Sequence, residues 1–140
     1  MVARILLLAV LAVSLASLAA QKRETEPIPL PRTSPTSGAE MFRAYCADCH
    51  RHDAKGNGPL TAVLKVVPPD LTTLARRNNG KFPFDGVHRT IRGESKIAAH
   101  GSREMPMWGP VFRTMAKGNQ GEAQLRIKTL TKYIESLQVK

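Results

Sequence analysis

Both cysteines of the chain lie within the five residues Cys46-Ala47-Asp48-Cys49-His50, and this cluster constrains the fold and chemistry more than any other feature. Two cysteines so close together exclude a fold that is held by several disulfide bonds. They also cannot complete a zinc site made of four cysteines. With 140 residues, the chain has room for one ordinary domain rather than two.

The order Cys46-x-x-Cys49-His50 is the sequence of covalent haem attachment. Residues three positions apart on a helical turn point the same way, so both thiols can reach the two vinyl groups on one edge of a haem. His50 follows directly and can present its imidazole to the iron from the same side. The motif therefore predicts thioether bonds at Cys46 and Cys49 and an axial ligand at His50.

Three other chemistries also use a pair of nearby cysteines. A redox dithiol of the thioredoxin type needs a βαβ setting, which the sequence does not predict. A zinc site would need His50 and one more histidine from His52, His88 or His100, and no zinc-knuckle spacing links them. A plain disulfide bond in an oxidising compartment is the third alternative.

The first 20 residues have the features of a secretory signal peptide. Arg4 is followed by an uncharged run over residues 5–20, which is rich in Leu, Ala and Val and ends in small residues. A membrane-spanning helix needs about 20 apolar residues, so this shorter run predicts cleavage after Ala19 or Ala20 and a periplasmic or other extracytoplasmic location. An uncleaved N-terminal segment, which would associate the protein with a membrane, is the alternative.

Residues 21–36 contain four prolines and several charged and hydroxyl side chains. This proline density is incompatible with a helix or a central strand, so the segment is predicted to be an extended leader before a domain at residues 37–140. The whole chain carries a net charge of +10, and removal of residues 1–20 with Arg4 would leave +9. This charge predicts redox partners with acidic docking surfaces, and simple solubility is the alternative. The predicted export argues against nucleic acid as a partner.

Capping residues and apolar spacing predict an all-α domain of several short helices with long loops. Ser37 and Glu40 have the spacing of a capping box and begin a helix that leads to the cysteines. Asn119 and Glu122 form a similar pair before a last helix that runs to about Leu137. Shorter helices are predicted over residues 60–67, from a cap at Asp70 to Arg77, and from a cap at Asp85 over 87–92, with an irregular stretch over 94–109.

Two methionines in a proline-containing loop are candidates for a second axial ligand. Met105 and Met107 flank Pro106, in a setting where core methionines are uncommon. A thioether ligand favours ferrous iron and raises the reduction potential relative to a second histidine. The alternatives are that both methionines fill gaps in the packing or that His100 is the ligand.

With these motifs, the sequence resembles the class I c-type cytochromes of the small bacterial single-haem type, over residues 38–137. Met105-Pro106-Met107-Trp108 is similar to the family's Met-Pro-x-Trp pattern, in which the first methionine binds iron. The resemblance therefore implies His50 and Met105 as the two metal ligands. One departure is visible, because many relatives have glycine directly after the haem-binding histidine, where this chain has Arg51.

The resemblance also implies supporting roles for residues outside the attachment motif. Pro59 resembles the proline whose carbonyl accepts a hydrogen bond from the haem-ligating histidine. Trp108 is expected to pack near a haem propionate or to serve as an ordinary core aromatic. Gly38, Phe42 and Tyr133 resemble the residues at which the first and last helices of the family cross.

What the resemblance implies is a small cytochrome c-like domain wrapped around one covalently attached haem c. Such a protein would be an electron carrier rather than an enzyme, shuttling one electron between exported or membrane-bound redox partners. A haem c subunit of a larger dehydrogenase or oxidase is the alternative, since the same fold serves both purposes. A haem peroxidase or ligand sensor needs an open iron position, and the Met-Pro-x-Trp pattern argues against one.

Overall fold

The computed structural model describes residues 30–94 and 105–139. Five α-helices lie in these ranges: α1 Gly38–Tyr45, α2 Ala47–His50, α3 Phe84–Arg92, α4 Trp108–Met115 and α5 Gln120–Ser136. Three 3₁₀ helices lie between α2 and α3, at Pro59–Val63, Leu71–Thr73 and Arg76–Asn78. No strand is found in the described ranges, and the predicted all-α fold class is confirmed.

The predicted signal peptide at residues 1–20, the leader up to residue 29, and His100 lie outside the described residues. Within the part of the chain that is described, no helix has both the length and the apolar character needed to cross a membrane. The division of the chain into signal peptide, leader and domain therefore stays a prediction.

The first and last helices begin at the caps that the sequence predicts. Ser37 Oγ accepts a hydrogen bond from the Glu40 N–H at 3.3 Å, and Asn119 Oδ1 accepts one from the Glu122 N–H at 3.1 Å. The first capping box differs in its second half, because the Glu40 carboxylate accepts from the Ser34 N–H at 3.1 Å. Glu40 therefore fixes the chain that enters α1 as well as the helix start.

The middle of the chain is less helical than predicted. The helices expected over residues 60–67 and 70–77 are replaced by the three 3₁₀ helices. Asp70 still caps the second of these, since its Oδ1 accepts from the Thr72 N–H at 2.8 Å. Pro68-Pro69 cannot donate backbone hydrogen bonds, and the neighbouring valines and threonines are β-branched, so these segments form single turns.

Two helix starts also differ from the expectation. Helix α3 begins at Phe84, with Pro83 at the N-cap position and Asp85 inside the first turn. A carboxylate in the first turn still stabilises a helix through its dipole, so Asp85 supports α3 without capping it. Helix α4 begins at Trp108, which the sequence had placed in an irregular stretch. Gly93 ends α3, with a left-handed φ of 82°.

The core lies where α5 packs against α1, α3 and α4. Helix α5 contributes Ile127, Leu130 and Ile134 to it. The other helices contribute five large buried apolar side chains, namely Met41, Phe42, Ile91, Trp108 and Phe112. The long last helix is therefore the element against which the shorter helices are ordered.

Helices α1 and α5 approach each other most closely at Gly38. A Cβ atom added to Gly38 would lie 2.5 Å from Tyr133 Cβ and 2.8 Å from the Thr129 carbonyl oxygen. The ring centroids of Phe42 and Tyr133 are 5.5 Å apart. The crossing predicted from Gly38, Phe42 and Tyr133 is confirmed.

Gly38→Ala is expected to lower the free energy of unfolding by roughly 2 kcal/mol, because the new methyl group overlaps backbone that cannot move without separating two helices. Gly121→Ala is the matched control in the first turn of α5, where an added Cβ would meet only Asn119 Oδ1, at 3.4 Å. We expect that control to be neutral or stabilising by up to about 1 kcal/mol. Denaturant unfolding of both variants checks this, and equal losses would contradict the close crossing.

Candidate functional site

Cys46, Cys49 and His50 lie on one helical turn. Cys46 ends α1, and α2 carries Cys49 and His50. The N–H groups of Cys49 and His50 both donate to the Cys46 carbonyl oxygen, at 3.2 and 2.8 Å. The two thiols and the imidazole therefore leave the same turn, which is the backbone arrangement that the attachment motif requires.

Both cysteine thiols are free, and both are held in the neutral form. Burial, with a smaller contribution from Cys49, raises the pKa of Cys46 to about 12. Burial followed by the charge of Asp48 raises the pKa of Cys49 above its ordinary value. A redox dithiol of the thioredoxin type needs a lowered thiol pKa, so this pair does not have the electrostatic setting of that chemistry.

The imidazole of His50 is buried, with 8% of the residue exposed. Burial lowers the pKa of His50, which favours the neutral ring that binds metals. Its Nδ1 atom is buried and has no hydrogen-bond partner among the described residues. A buried neutral imidazole beside two free thiols is a donor set that fits a covalently attached haem.

The backbone carbonyl that acts on the His50 ring belongs to Pro69. This carbonyl raises the pKa of His50, against the larger lowering by burial. In the described residues, no hydrogen bond joins His50 to Pro59, which instead begins a 3₁₀ helix. The orienting role implied for Pro59 thus stays a prediction. Pro69 is an additional candidate for this role, and the rigid Pro68-Pro69 pair is its signal in the sequence.

Two glycines let the loop after the motif pack closely around it. The Gly56 N–H donates to the His50 carbonyl at 3.1 Å, and the Gly58 N–H donates to the Cys49 carbonyl at 3.0 Å. A Cβ atom on Gly56 would overlap the Pro68 carbonyl, and Gly56 also has a left-handed φ of 79°. The close approach of Pro68-Pro69 to the motif therefore depends on glycine at position 56.

Arg51 occupies a backbone conformation that favours glycine, with φ 60° and ψ 164°. This conformation is one that the glycine implied by the resemblance would adopt without strain. The Arg51 side chain is exposed and approaches Asp53 only at 3.9 Å, an ion pair that contributes little to stability. Arginine at position 51, in place of glycine, therefore introduces backbone strain.

Arg51→Gly is expected to raise the free energy of unfolding by about 1 kcal/mol, because relief of strain outweighs the entropy that glycine adds to the unfolded chain. Lys55→Gly is the control, since Lys55 is exposed and is not among the residues with positive φ. We expect that variant to lose roughly 0.5–1 kcal/mol. Denaturant unfolding measures both changes, and a loss of stability in Arg51→Gly would refute the strain argument.

The two candidate methionines differ in their surroundings. Met105 is 39% exposed and Met107 is 59% exposed. Met107 caps α4 and packs on the end of α3, where a Cβ on Gly93 would lie 2.6 Å from Met107 Cβ. Met107 is thus committed to a packing contact between α3 and α4.

Trp108 connects the methionine segment to the attachment motif. Its ring centroid lies 5.2 Å from that of Tyr45, the residue before Cys46, and 5.6 Å from that of Phe112. Trp108 is buried, so it is a core aromatic, one of the two roles expected for it. Its placement near a propionate stays a prediction.

Residues 33–117 match the family model described as cytochrome c oxidase, cbb3-type, subunit III. The matched range covers more than half of the chain and includes the attachment motif, Pro69 and Met105. Neither a curated protein nor a solved structure matches the chain. The chain therefore belongs to this family of class I c-type cytochrome domains, and its membership implies a covalently bound haem c that is used in electron transfer.

Proposed function

We propose that the protein carries single electrons through one haem c, attached at Cys46 and Cys49, with His50 and Met105 as axial ligands. The observation that carries this proposal is the single turn with two free thiols and a buried imidazole of lowered pKa. The chain has only these two cysteines, which supports a single haem. When bound, the haem supplies a one-electron iron couple.

The protein residues hold and orient that group. Cys46 and Cys49 supply the sulfur atoms for the thioether bonds. Burial keeps His50 neutral, so its ring has a lone pair for the iron. Pro69 is a second candidate, beside Pro59, to orient the ring, because its backbone carbonyl raises the pKa of His50. Such indirect contacts fix the ring and tune the metal.

Met105 is preferred over Met107 as the second ligand because of what surrounds Met107. Met107 is the N-cap of α4, and its Cβ and Cγ atoms lie against Gly93 at the end of α3, which restricts where its sulfur can reach. Met105 is not the helix cap, and it is separated from α4 by Pro106 and Met107. Pro106 restricts the backbone directly after Met105, which favours a fixed position for its sulfur.

Optical and magnetic spectra of the protein in both oxidation states test this function. We expect a six-coordinate, low-spin haem with the weak near-infrared charge-transfer band of a methionine–iron bond. Extraction with acidified acetone should leave the haem on the chain. A high-spin ferric iron that binds cyanide at once would overturn the carrier proposal and would favour a ligand-binding haem protein.

A second candidate role is a haem c subunit of a larger oxidase complex. The family match favours it, because the family is described as a subunit of a cytochrome c oxidase. Either role is compatible with a haem on the periplasmic side of a membrane, which is the location that the predicted signal peptide implies. Recovery of the haem protein from cells of its source as a soluble monomer supports the carrier, and co-purification with a membrane oxidase supports the subunit.

An exposed apolar strip with basic neighbours is the best candidate for docking a redox partner. It consists of Leu60, Val63, Val66 and Val67, of which Val63 is 78% exposed. The exposed cations Arg51, Lys55 and Lys65 lie close to it in the sequence. Exposed apolar side chains with cations nearby in the sequence would suit a partner surface that combines apolar groups with carboxylates.

The positive charge is expected to steer small redox reagents as well as proteins. At low salt, an anionic iron cyanide oxidant should react roughly tenfold faster than a cationic cobalt complex of similar driving force. High salt should remove most of the difference because it screens the charges. Val63→Asp should reduce the preference more than the control Leu125→Asp on α5 does. Stopped-flow oxidation measures these rates, and equal effects of both variants would contradict docking at the strip.

A further inference from the structure

Arg126 is a buried cation that ties α5 to the chain before α1. Only 7% of its side chain is exposed. Its Nε and Nη2 atoms donate to Glu122 Oε1 at 3.0 and 2.8 Å, and its Nη1 atom donates to the Thr33 carbonyl at 3.0 Å and to Thr33 Oγ1 at 3.1 Å. A buried charge is strongly unfavourable without such partners, so Thr33 is held firmly in place.

Thr33 in turn holds the hydroxyl of Tyr45. Thr33 Oγ1 and Tyr45 Oη are 2.8 Å apart, and Tyr45 Oη donates to the Pro31 carbonyl at 2.7 Å. Arg126 can only donate, and the Tyr45 proton is used on Pro31, so the Thr33 hydroxyl must donate to Tyr45. The hydrogen bonds therefore run in one direction, from Arg126 through Thr33 and Tyr45 to Pro31.

The ring of Tyr45 lies between the two segments that the proposed function assigns to the haem. Tyr45 directly precedes Cys46 in the sequence. Its ring centroid is 5.2 Å from Trp108 and 5.6 Å from Phe112. Trp108 follows Met105 by three residues, so Tyr45 connects the attachment turn to the methionine segment.

We propose that Tyr45, anchored by Pro31, Thr33 and Arg126, is a positioning residue that holds the Met105 segment in its ligand-bearing position. This inference rests on the proposed ligation by His50 and Met105. Residues 31–36 then have a role beyond that of an extended leader. Their contacts with Tyr45 and Arg126 help to hold the segment that carries Met105, the proposed second axial ligand.

Loosening the Tyr45 anchor should increase the fraction of protein in which Met105 has left the iron. An external ligand such as imidazole binds only that fraction, so its apparent affinity for the ferric protein reports the loosening. Each variant below removes a hydroxyl that makes two hydrogen bonds, and the Thr33–Tyr45 bond is the one that both lose. Loss of that shared bond should strengthen imidazole binding by roughly tenfold. Thr33→Val and Tyr45→Phe each remove one hydroxyl while keeping the size of the side chain.

The experiment is an imidazole titration of the oxidised, haem-loaded full chain, followed through loss of the methionine–iron band. Thr33→Ser keeps the hydroxyl and should restore the wild-type affinity. Thr131→Val is the matched control, because Thr131 is fully buried on α5 and its hydroxyl donates to the Ile127 carbonyl at 2.8 Å. That control should lose stability but leave the imidazole affinity within about twofold.

The double variant of Thr33→Val and Tyr45→Phe should bind imidazole little more tightly than either single variant, since both remove the same linkage. Imidazole affinities in Thr33→Val and Tyr45→Phe that match the Thr131→Val control would overturn the positioning role alone. A wild-type protein without the methionine–iron band would overturn the proposed ligation and this inference with it. Because the wild type is measured first, the two failures are distinguishable.

Discussion

Replacing both Cys46 and Cys49 by alanine is expected to leave the chain largely unfolded, even in a host that attaches haem covalently. The described core contains only eight large buried apolar side chains, which come from α1, α3, α4 and α5. The remaining buried apolar positions are cysteine or alanine, which bury little surface. A helical domain with so small a core has little stability to lose.

The segment over residues 51–82 is the part of the fold that we expect to depend most on the haem. It contains no α-helix, and its only fully buried apolar residue is Ala54. Its other contacts with the core come from the partly buried Leu71, Leu74 and Phe82. This is little apolar contact to offset the conformational entropy of so long a segment. We infer that it is ordered by wrapping the haem, which the double variant cannot hold covalently.

The expected loss is about 5 kcal/mol or more, which equals the whole stability of a marginal domain. Circular dichroism should show reduced helix content without a cooperative melt, and hydrogen exchange should be fastest over residues 51–82. Asp48→Ala is the control, because Asp48 lies between the two cysteines and is exposed. That variant should retain haem and fold. A cooperative, native-like melt of the double cysteine variant would show that the protein fold does not need the haem.

Features that depend on nearby residues could be predicted from the sequence. The attachment turn follows from the spacing of Cys46, Cys49 and His50, and the helix caps at Ser37 and Asn119 follow from capping residues and their spacing. In each case the deciding hydrogen bonds join residues no more than four positions apart. Such features can be predicted because all the residues that determine their geometry lie within the local pattern.

Features that depend on the path of the chain could not be predicted in the same way. Pro69 lies 19 residues after His50, and its approach depends on how the loop at Gly56 turns. Thr33 lies 93 residues before Arg126, which buries it, so the proline-rich composition around Thr33 indicated only an extended leader. The composition of a segment indicates which secondary structures it cannot form. Whether the segment is buried depends on residues that are distant in the sequence.

Met105→Ala is expected to abolish the methionine–iron band and to change the redox chemistry of the protein more than any other single substitution outside the attachment motif. Met105 is distant from His50 in the sequence, so its ligation depends on the tertiary fold. The segment is placed by the packing of Trp108 against Tyr45 and by the start of α4. Removing the thioether takes away a ligand that favours ferrous iron.

The reduction potential of Met105→Ala should therefore fall by on the order of 0.1 V or more, since axial ligands set haem potentials over about 0.8 V. The ferric iron should also bind cyanide or imidazole readily, because one axial position is open. Potentiometric titration and ligand-binding spectra measure the two effects.

Met107→Ala separates the loss of a ligand from the loss of a packed methionine. It removes the side chain beyond Cβ, including the Cγ atom that lies next to Gly93, and should cost about 1 kcal/mol of stability, while the band and the potential stay close to those of the wild type. If Met107→Ala abolishes the band and Met105→Ala preserves it, the ligand is Met107. If neither variant loses the band, the sulfur ligand lies elsewhere in the chain. A wild-type protein that shows no band would instead point to His100, and the low potential of a second histidine ligand would then contradict a high-potential carrier.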